Sequence, residues 1–337
     1  MSEYPPIKPS ERSGCPPVRS LGLLLVLICL FGTIACGSAV PTRSGVATPA
    51  PESTPTPAGT DAAQAADIDG LVVLTGGALG IGAADGVLVG LAGPGGPVSG
   101  LSAANGRLVV EAAGPAFAIA DITQVGAAMT WQRIEQAASE VGQTLSAPAL
   151  SPGGSLLAFT ASEPGTTDAF QVVTLDLATG DRRSQSFDRE SNGPPVWIDD
   201  TSLLVEVVPI PGGTRFLRLD PASASVEPVR ADGFGPAISG DGSVLAVAST
   251  DGSVVAVPTA GWLGGNPRDD GAIVDASGHP FALAVDRTGR RIAIGYADDS
   301  GDPASIAVYV REGRGWRRSA TSVGVALGTP TMLGWLS

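Results

Sequence analysis

Beyond Cys36 this chain of 337 residues has no cysteine, so no disulfide staples the remaining 301 residues (337 − 36) and their stability must come from a packed core. Lysine is nearly missing too, with Lys8 as the single example. Together with a net charge of −13, that makes nucleic acid and an anionic membrane surface poor partners. Histidine occurs once, as His279 in the turn Ser277-Gly278-His279-Pro280. A Ser-His-Asp site would hang on that one residue, and no Gly-x-Ser-x-Gly elbow accompanies it. A zinc site would need a His and Cys cluster that the chain beyond Cys36 does not have. Long apolar runs are also scarce: the charge-free stretch Leu21–Val40, twenty residues, stands at the N-terminus.

That stretch reads as an address rather than as fold. Arg12 and Arg19 precede the apolar run, and Cys36 follows Thr33-Ile34-Ala35. An apolar core, a small residue and then cysteine resembles a bacterial lipoprotein signal, which implies Cys36 as the lipidated residue. Leu21–Val40 is also long enough to span a bilayer uncut. Residues 1–36 are therefore a lipoprotein signal or a membrane anchor, and both place the rest of the chain outside the cytoplasmic membrane. Residues 37–67 are rich in Pro, Thr, Ala and Gly and have too few large apolar groups for a core, which predicts a disordered tether. Residues 68–337 are long enough to bury one.

Between residues 68 and 337 a single phrase recurs. Pro148 opens PALSPGGSLLAFTAS and Pro236 opens PAISGDGSVLAVAST, with looser copies from Pro195 and Pro280. The starts lie 47, 41 and 44 residues apart by subtraction of those positions. Each copy is a short apolar stretch, a tight turn, then an apolar strand, and a third strand and an outer strand succeed it in the clearest copies. An all-strand repeat of this period predicts the blades of a β-propeller. A weaker copy starts at Pro97, with Met129–Gly142 as its outer strand or a short helix. The isolated PTMLGWLS at the end supplies an innermost strand whose partners stand between Leu71 and Gly93, and joining them closes the ring without an exposed edge. The prediction is all-β with six blades; a seventh would have to fit into Gln124–Ala147.

The pattern Pro-x-hydrophobic-Ser-x-x-Gly, an apolar strand, a strand ending in Asp and a Thr-Gly turn resembles the WD40-like repeats of TolB-type periplasmic propellers. The resemblance spans roughly residues 97–323 and is best in the blade from Pro148. It departs in detail. The tryptophan of the innermost strand stands at Trp197 and Trp335, the Asp-Gly turn is complete at Asp241-Gly242, and no separate N-terminal domain of the TolB kind precedes the repeats. The resemblance implies the fold more than it implies TolB's partners.

Chemistry-bearing motifs are few. Thr75-Gly76-Gly77-Ala78-Leu79-Gly80-Ile81-Gly82 imitates the phosphate loop of short-chain dehydrogenases, yet glycines and a proline follow where a helix start is required. The Tyr-x-x-x-Lys of that family cannot be formed with Lys8, so the motif reads as a strand turn. Carboxylates remain: Asp298, Asp299 and Asp302 crowd one loop between second and third strands, and Glu163 and Asp168 occupy the equivalent loop of the blade at Pro148. In a propeller these loops share a rim with the between-blade connections. That rim has oxygen ligands for Ca²⁺, although no EF-hand spacing, or charge for a basic partner; plain solvation of loop carboxylates is the simpler account. The insertion around Trp262, flanked by glycines, breaks the repeat on the opposite face and reads either as a grafted binding loop or as a cap folded back on the blades.

The sequence thus predicts a tethered, non-catalytic propeller that binds a protein or cell-envelope ligand, with no cofactor unless calcium. The alternatives are an exported hydrolase or lyase that uses rim carboxylates, and an accessory subunit whose activity belongs to its partner. Carboxylates and arginine at the funnel mouth would favour an enzyme; a funnel of Ala, Ser and Val would weaken that reading.

Overall fold

The structure, a computed structural model, describes residues 68–113, 116–122, 129–137, 143–163, 169–188, 190–191, 193–208, 215–229, 233–265, 272–275, 279–322, 327–329 and 331–336. The signal or anchor with Cys36, the tether and Asp168 lie outside these residues. The described strands form six antiparallel sheets, each one blade.

The first blade is composite: Thr331–Trp335 is innermost, followed outward by Leu71–Thr75, Ala78–Gly82 and Leu88–Leu91. The second runs Gly100–Ala104, Arg107–Ala112, Ala116–Asp121 and Gln132–Arg133. The third runs Thr144–Leu150, Leu156–Ser162, Phe170–Asp176 and Arg182–Phe187. In the fourth, Val196–Asp199 and the short Glu190–Ser191 share the second strand Ser202–Val208, with Arg215–Asp220 and Ser225–Val229 outside. The fifth runs Phe234–Ile238, Val244–Ala248, Val254–Pro258 and Ala272–Asp275. The sixth runs His279–Val285, Arg291–Ala297, Pro303–Glu312 and Gly315–Ser322. The segment that a seventh blade would need holds the two-residue strand Gln132–Arg133, the single turn Glu135–Ala137 and the start of the third blade.

Burial explains the strand sequences. Second strands are sandwiched between neighbouring blades, so Val244–Ala248 is buried throughout and reads as a continuous apolar run. Outer strands such as Arg182–Phe187 meet water and become polar. The core is accordingly not one mass but six layers, one at each blade interface. Val109 and Phe117 of the second blade pack with Leu157 and Phe159 of the third, the phenylalanine centroids 5.1 Å apart. Equivalent layers fill the other five junctions.

The recurring Ser-x-x-Gly has a physical job. Ser151, Ser239 and, in the sixth blade, Asp286 are buried at the turn from innermost to second strand. Three residues later, Gly154, Gly242 and Gly289 take φ of +70°, +73° and +64° and donate their N–H to those residues' carbonyls. The side chains of Ser239 and Asp286 accept further backbone N–H groups at 3.0 Å from Val244 and 2.8 Å from Arg290. A left-handed residue is needed to turn the chain here, which is why glycine recurs.

The ring closes as the sequence predicts. Leu71–Thr75 pairs antiparallel with Thr331–Trp335 in unbroken register, from Leu71↔Trp335 to Thr75↔Thr331. Thr75 Oγ1 accepts the Gly328 N–H at 2.7 Å and the Gly76 N–H reaches the Gly328 carbonyl at 3.2 Å. The imitation phosphate loop is thereby a hairpin: Gly76 and Gly77 at φ +55° and +82° turn one strand into the next.

Strand alternation sorts the loops. Turns from innermost to second strand and from third to outer strand share one face, called lower here. Second-to-third turns and the connections between blades share the upper face.

Candidate functional site

All six innermost strands converge on an axial channel of about 180 Å³. Ala103, Ala149, Pro195, Ala237, Leu283 and Leu333 line it, one from each blade, and Arg287 contributes a positive charge at the lower mouth. No aspartate or glutamate is among the lining residues described. Among the described residues, the carboxylates that an acid–base pair would need are therefore not gathered at the funnel.

Two tryptophans fix the geometry of that wall. Trp197 donates its indole N–H to the Ala149 carbonyl of the preceding blade at 2.9 Å, and Trp335 does the same to Ala284 at 3.3 Å. Both indoles are buried. At the closure, Arg291 lies over the Trp335 ring at 4.4 Å, pairs with Asp286 at 3.0 Å and donates to the Asp69 carbonyl at 3.0 Å. One guanidinium thus joins the sixth blade to both components of the first.

The predicted site residues fare differently. Asp298, Asp299 and Asp302 do share one exposed turn on the upper face. Asp298 is occupied in building it, since its Oδ1 accepts N–H groups from Ser300 at 2.8 Å and Asp302 at 3.1 Å. Asp299 and Asp302 face solvent. Glu163 is exposed on the equivalent turn of the third blade, three blades away. Among the described residues no group of three or more His, Cys, Asp or Glu could hold a metal ion. His279 is exposed and begins the innermost strand of the sixth blade, paired with Ala297.

Trp262 is not presented as a binding loop. It lies in a short helix, Thr259–Leu263, and is 1 % exposed. Its ring meets Phe216 of the fourth blade edge-on, with centroids 5.0 Å apart, so it caps the junction of the fourth and fifth blades. Of its two sequence readings, the structure realises the cap. The partner is a phenylalanine 46 residues earlier by position, on a neighbouring blade, and no local pattern announces it.

Sequence reasoning also missed polar groups that only the ring brings together. Tyr296 donates its hydroxyl to Asp275 of the fifth blade and lies 3.1 Å from the Tyr309 hydroxyl. Burial raises both phenol pKa values, and the Asp275 carboxylate raises them further, so both tyrosines stay neutral and act as an inter-blade clamp. Glu111, half-buried at the junction of the second and third blades, is also raised above its usual range by burial, against hydrogen bonds from Ser99 and Ala147.

Many other aspartates are turn builders. Asp176, Asp199, Asp220, Asp241 and Asp251 each accept the backbone N–H two residues on, at 2.7–2.9 Å. The pKa of each is lowered. The Thr179 N–H leads for Asp176, the Ser223 hydroxyl for Asp220 and the Ser253 hydroxyl for Asp251. For Asp199 and Asp241 the largest influence is burial, which raises, and the bonds from their turns outweigh it.

These features can be set beside known structures. TolB of Acinetobacter baumannii superposes with a TM-score of 0.57 at 17 % identity, over 79 % of this chain and 67 % of that one. The fold is that of a TolB-type propeller. A structure assigned to TolB of Agrobacterium tumefaciens agrees, with a TM-score of 0.52 at 11 % identity over 77 % of this chain and 89 % of the other. No protein-family model and no curated protein matches the sequence. At these identities the likeness speaks for the fold, and function must be argued from the ring itself.

Proposed function

We propose that the ring is a non-catalytic docking platform for a protein or cell-envelope ligand, tethered outside the cytoplasmic membrane through lipidated Cys36 or an uncleaved N-terminal anchor. The wall of the axial channel carries this reading. Among the described residues it offers Ala, Pro and Leu from all six blades, a single cationic side chain and no carboxylate. Its volume of about 180 Å³ is below the roughly 300–1,000 Å³ of small-molecule pockets and suits a projecting side chain or tight turn of a larger partner.

Ala103 and Ala237 stand on blades opposite one another in the ring, so Ala103→Trp with Ala237→Trp should plug the channel. A photo-crosslinking residue in place of Leu283 should capture a discrete protein in the membrane, and the plugged variant should lose that adduct. An adduct that persists after plugging, or none at all, would sink the reading. The address has its own test: Cys36→Ser should abolish lipid-dependent processing, whereas unchanged processing and membrane retention would assign the uncleaved anchor.

A further inference from the structure

Within this acidic molecule the lower face of the sixth blade is basic. Arg287 occupies the turn from innermost to second strand, Arg290 ends that turn, Arg311 is the last residue but one of the third strand, and Arg314 sits in the turn to the outer strand. All four are exposed. The Arg311 N–H donates to the Arg290 carbonyl at 2.9 Å, so the two turns are in contact. Arg287 lines the channel mouth. With strands about 4.8 Å apart, the four residues mark a row that runs from the channel to the outer edge.

Neighbouring arginines show what this row leaves unsatisfied. Arg291 is paired with Asp286 and Arg317 with Glu312, as Arg107 is with Asp121 and Arg133 with Glu135. Among the described residues Arg287, Arg290, Arg311 and Arg314 have no carboxylate partner. The two acids at this end of the blade, Asp286 and Glu312, are engaged by Arg291 and Arg317, and Asp298, Asp299 and Asp302 stand at the opposite, upper end.

We propose that this arginine row binds an extended acidic segment of a protein partner, laid radially from the channel mouth to the edge of the sixth blade. The proposal rests on the docking-platform reading and names the face and the chemistry of the partner. Shape decides for a chain rather than a membrane. The rest of the lower face exposes Asp85, Asp121, Asp181, Asp199, Asp200 and Asp241. A flat anionic bilayer would press its phosphates against these carboxylates, whereas a single acidic strand follows the row and avoids them.

The test uses the full-length protein and a fluorescent oligoglutamate peptide, with oligoglutamine as its neutral counterpart. Oligoglutamate should bind in a salt-sensitive manner and oligoglutamine should not. The combined variant Arg287→Gln, Arg290→Gln, Arg311→Gln and Arg314→Gln should bind at least about tenfold more weakly, since four exposed charge contacts, each modest, are lost together. Arg215→Gln, at the upper end of the fourth blade, should leave binding unchanged. Equal binding by the fourfold variant, failure of the native protein to bind oligoglutamate, or binding to phosphatidylglycerol vesicles in preference to the peptide would each overturn the proposal. The two readings fail separately. A channel-dependent cross-link without oligoglutamate binding keeps the platform and discards the acidic segment. Oligoglutamate binding lost with the arginines, without any channel-dependent cross-link, keeps the row and discards the channel as the docking point.

Discussion

At the scale of single residues, glycine position carries most of the fold. Gly242 sits at φ +73°, and a Cβ there would stand 2.8 Å from the Ile198 carbonyl oxygen of the fourth blade. Gly313 has a similar φ of +61° with nothing within 4 Å. Gly313→Ala should therefore cost only the left-handed strain of about 1 kcal/mol, and Gly242→Ala roughly 2–3 kcal/mol because a backbone atom of the next blade must also shift. Urea melts of the two variants separate these contributions; equal losses would remove the inter-blade contact from the account. This level was the most legible in the sequence, because turn residues act on their own neighbours. Trp262 was not legible, since its partner Phe216 comes from another blade and the glycines around it gave no sign of a helix.

Among elements, the six blades could be counted from the period of the repeat, and even the composite blade followed from an orphan strand. The contacts that lock blades together could not. The Trp197 bond to Ala149 spans 48 positions and the Trp335 bond to Ala284 spans 51, about one repeat, so such pairs are set by the ring and not by chain proximity. Tyr296, Asp275 and Tyr309 belong to the same class. The closing strand supplies the sharpest test. A chain without residues 331–337 leaves Leu71–Thr75 with an unpaired edge and uncovers Leu71 and Val73, which are fully buried in the closed ring. It should be aggregation-prone, and a synthetic peptide TMLGWLS should restore a cooperative melt. Failure of the peptide while the shortened chain stays monomeric and folded would show that closure adds little.

For the whole molecule, the acidic surplus divides into structural and exposed parts. Carboxylates such as Asp176, Asp220 and Asp251 are held below the ordinary 3.8 by the turns they cap. Their stabilisation is complete above that value and is lost as pH falls through the lower folded pKa values. Glu111, raised from 4.5, has the opposite sign and favours the fold on acidification. The melting temperature should thus hold from neutral pH to about pH 5 and drop below about pH 4. Asp176→Asn with Asp220→Asn and Asp251→Asn keeps an acceptor in each turn without its titration, and should flatten that drop. An unchanged acid limb would place acid lability elsewhere. The sign of the net charge was plain in the sequence; its segregation along the sixth blade was not, because Arg290 and Arg311 meet only once the blade is folded.

The composite blade also imposes a timetable. Strand 331–335 is synthesised after every other strand in the ring, and it must find residues 71–75 across more than 250 intervening positions. Until it does, five blades and a partial sixth wait as an open arc with an unsealed seam. Escort or delay during folding should therefore act on that seam, and the seam is where arrested or proteolysed forms of the protein should be sought.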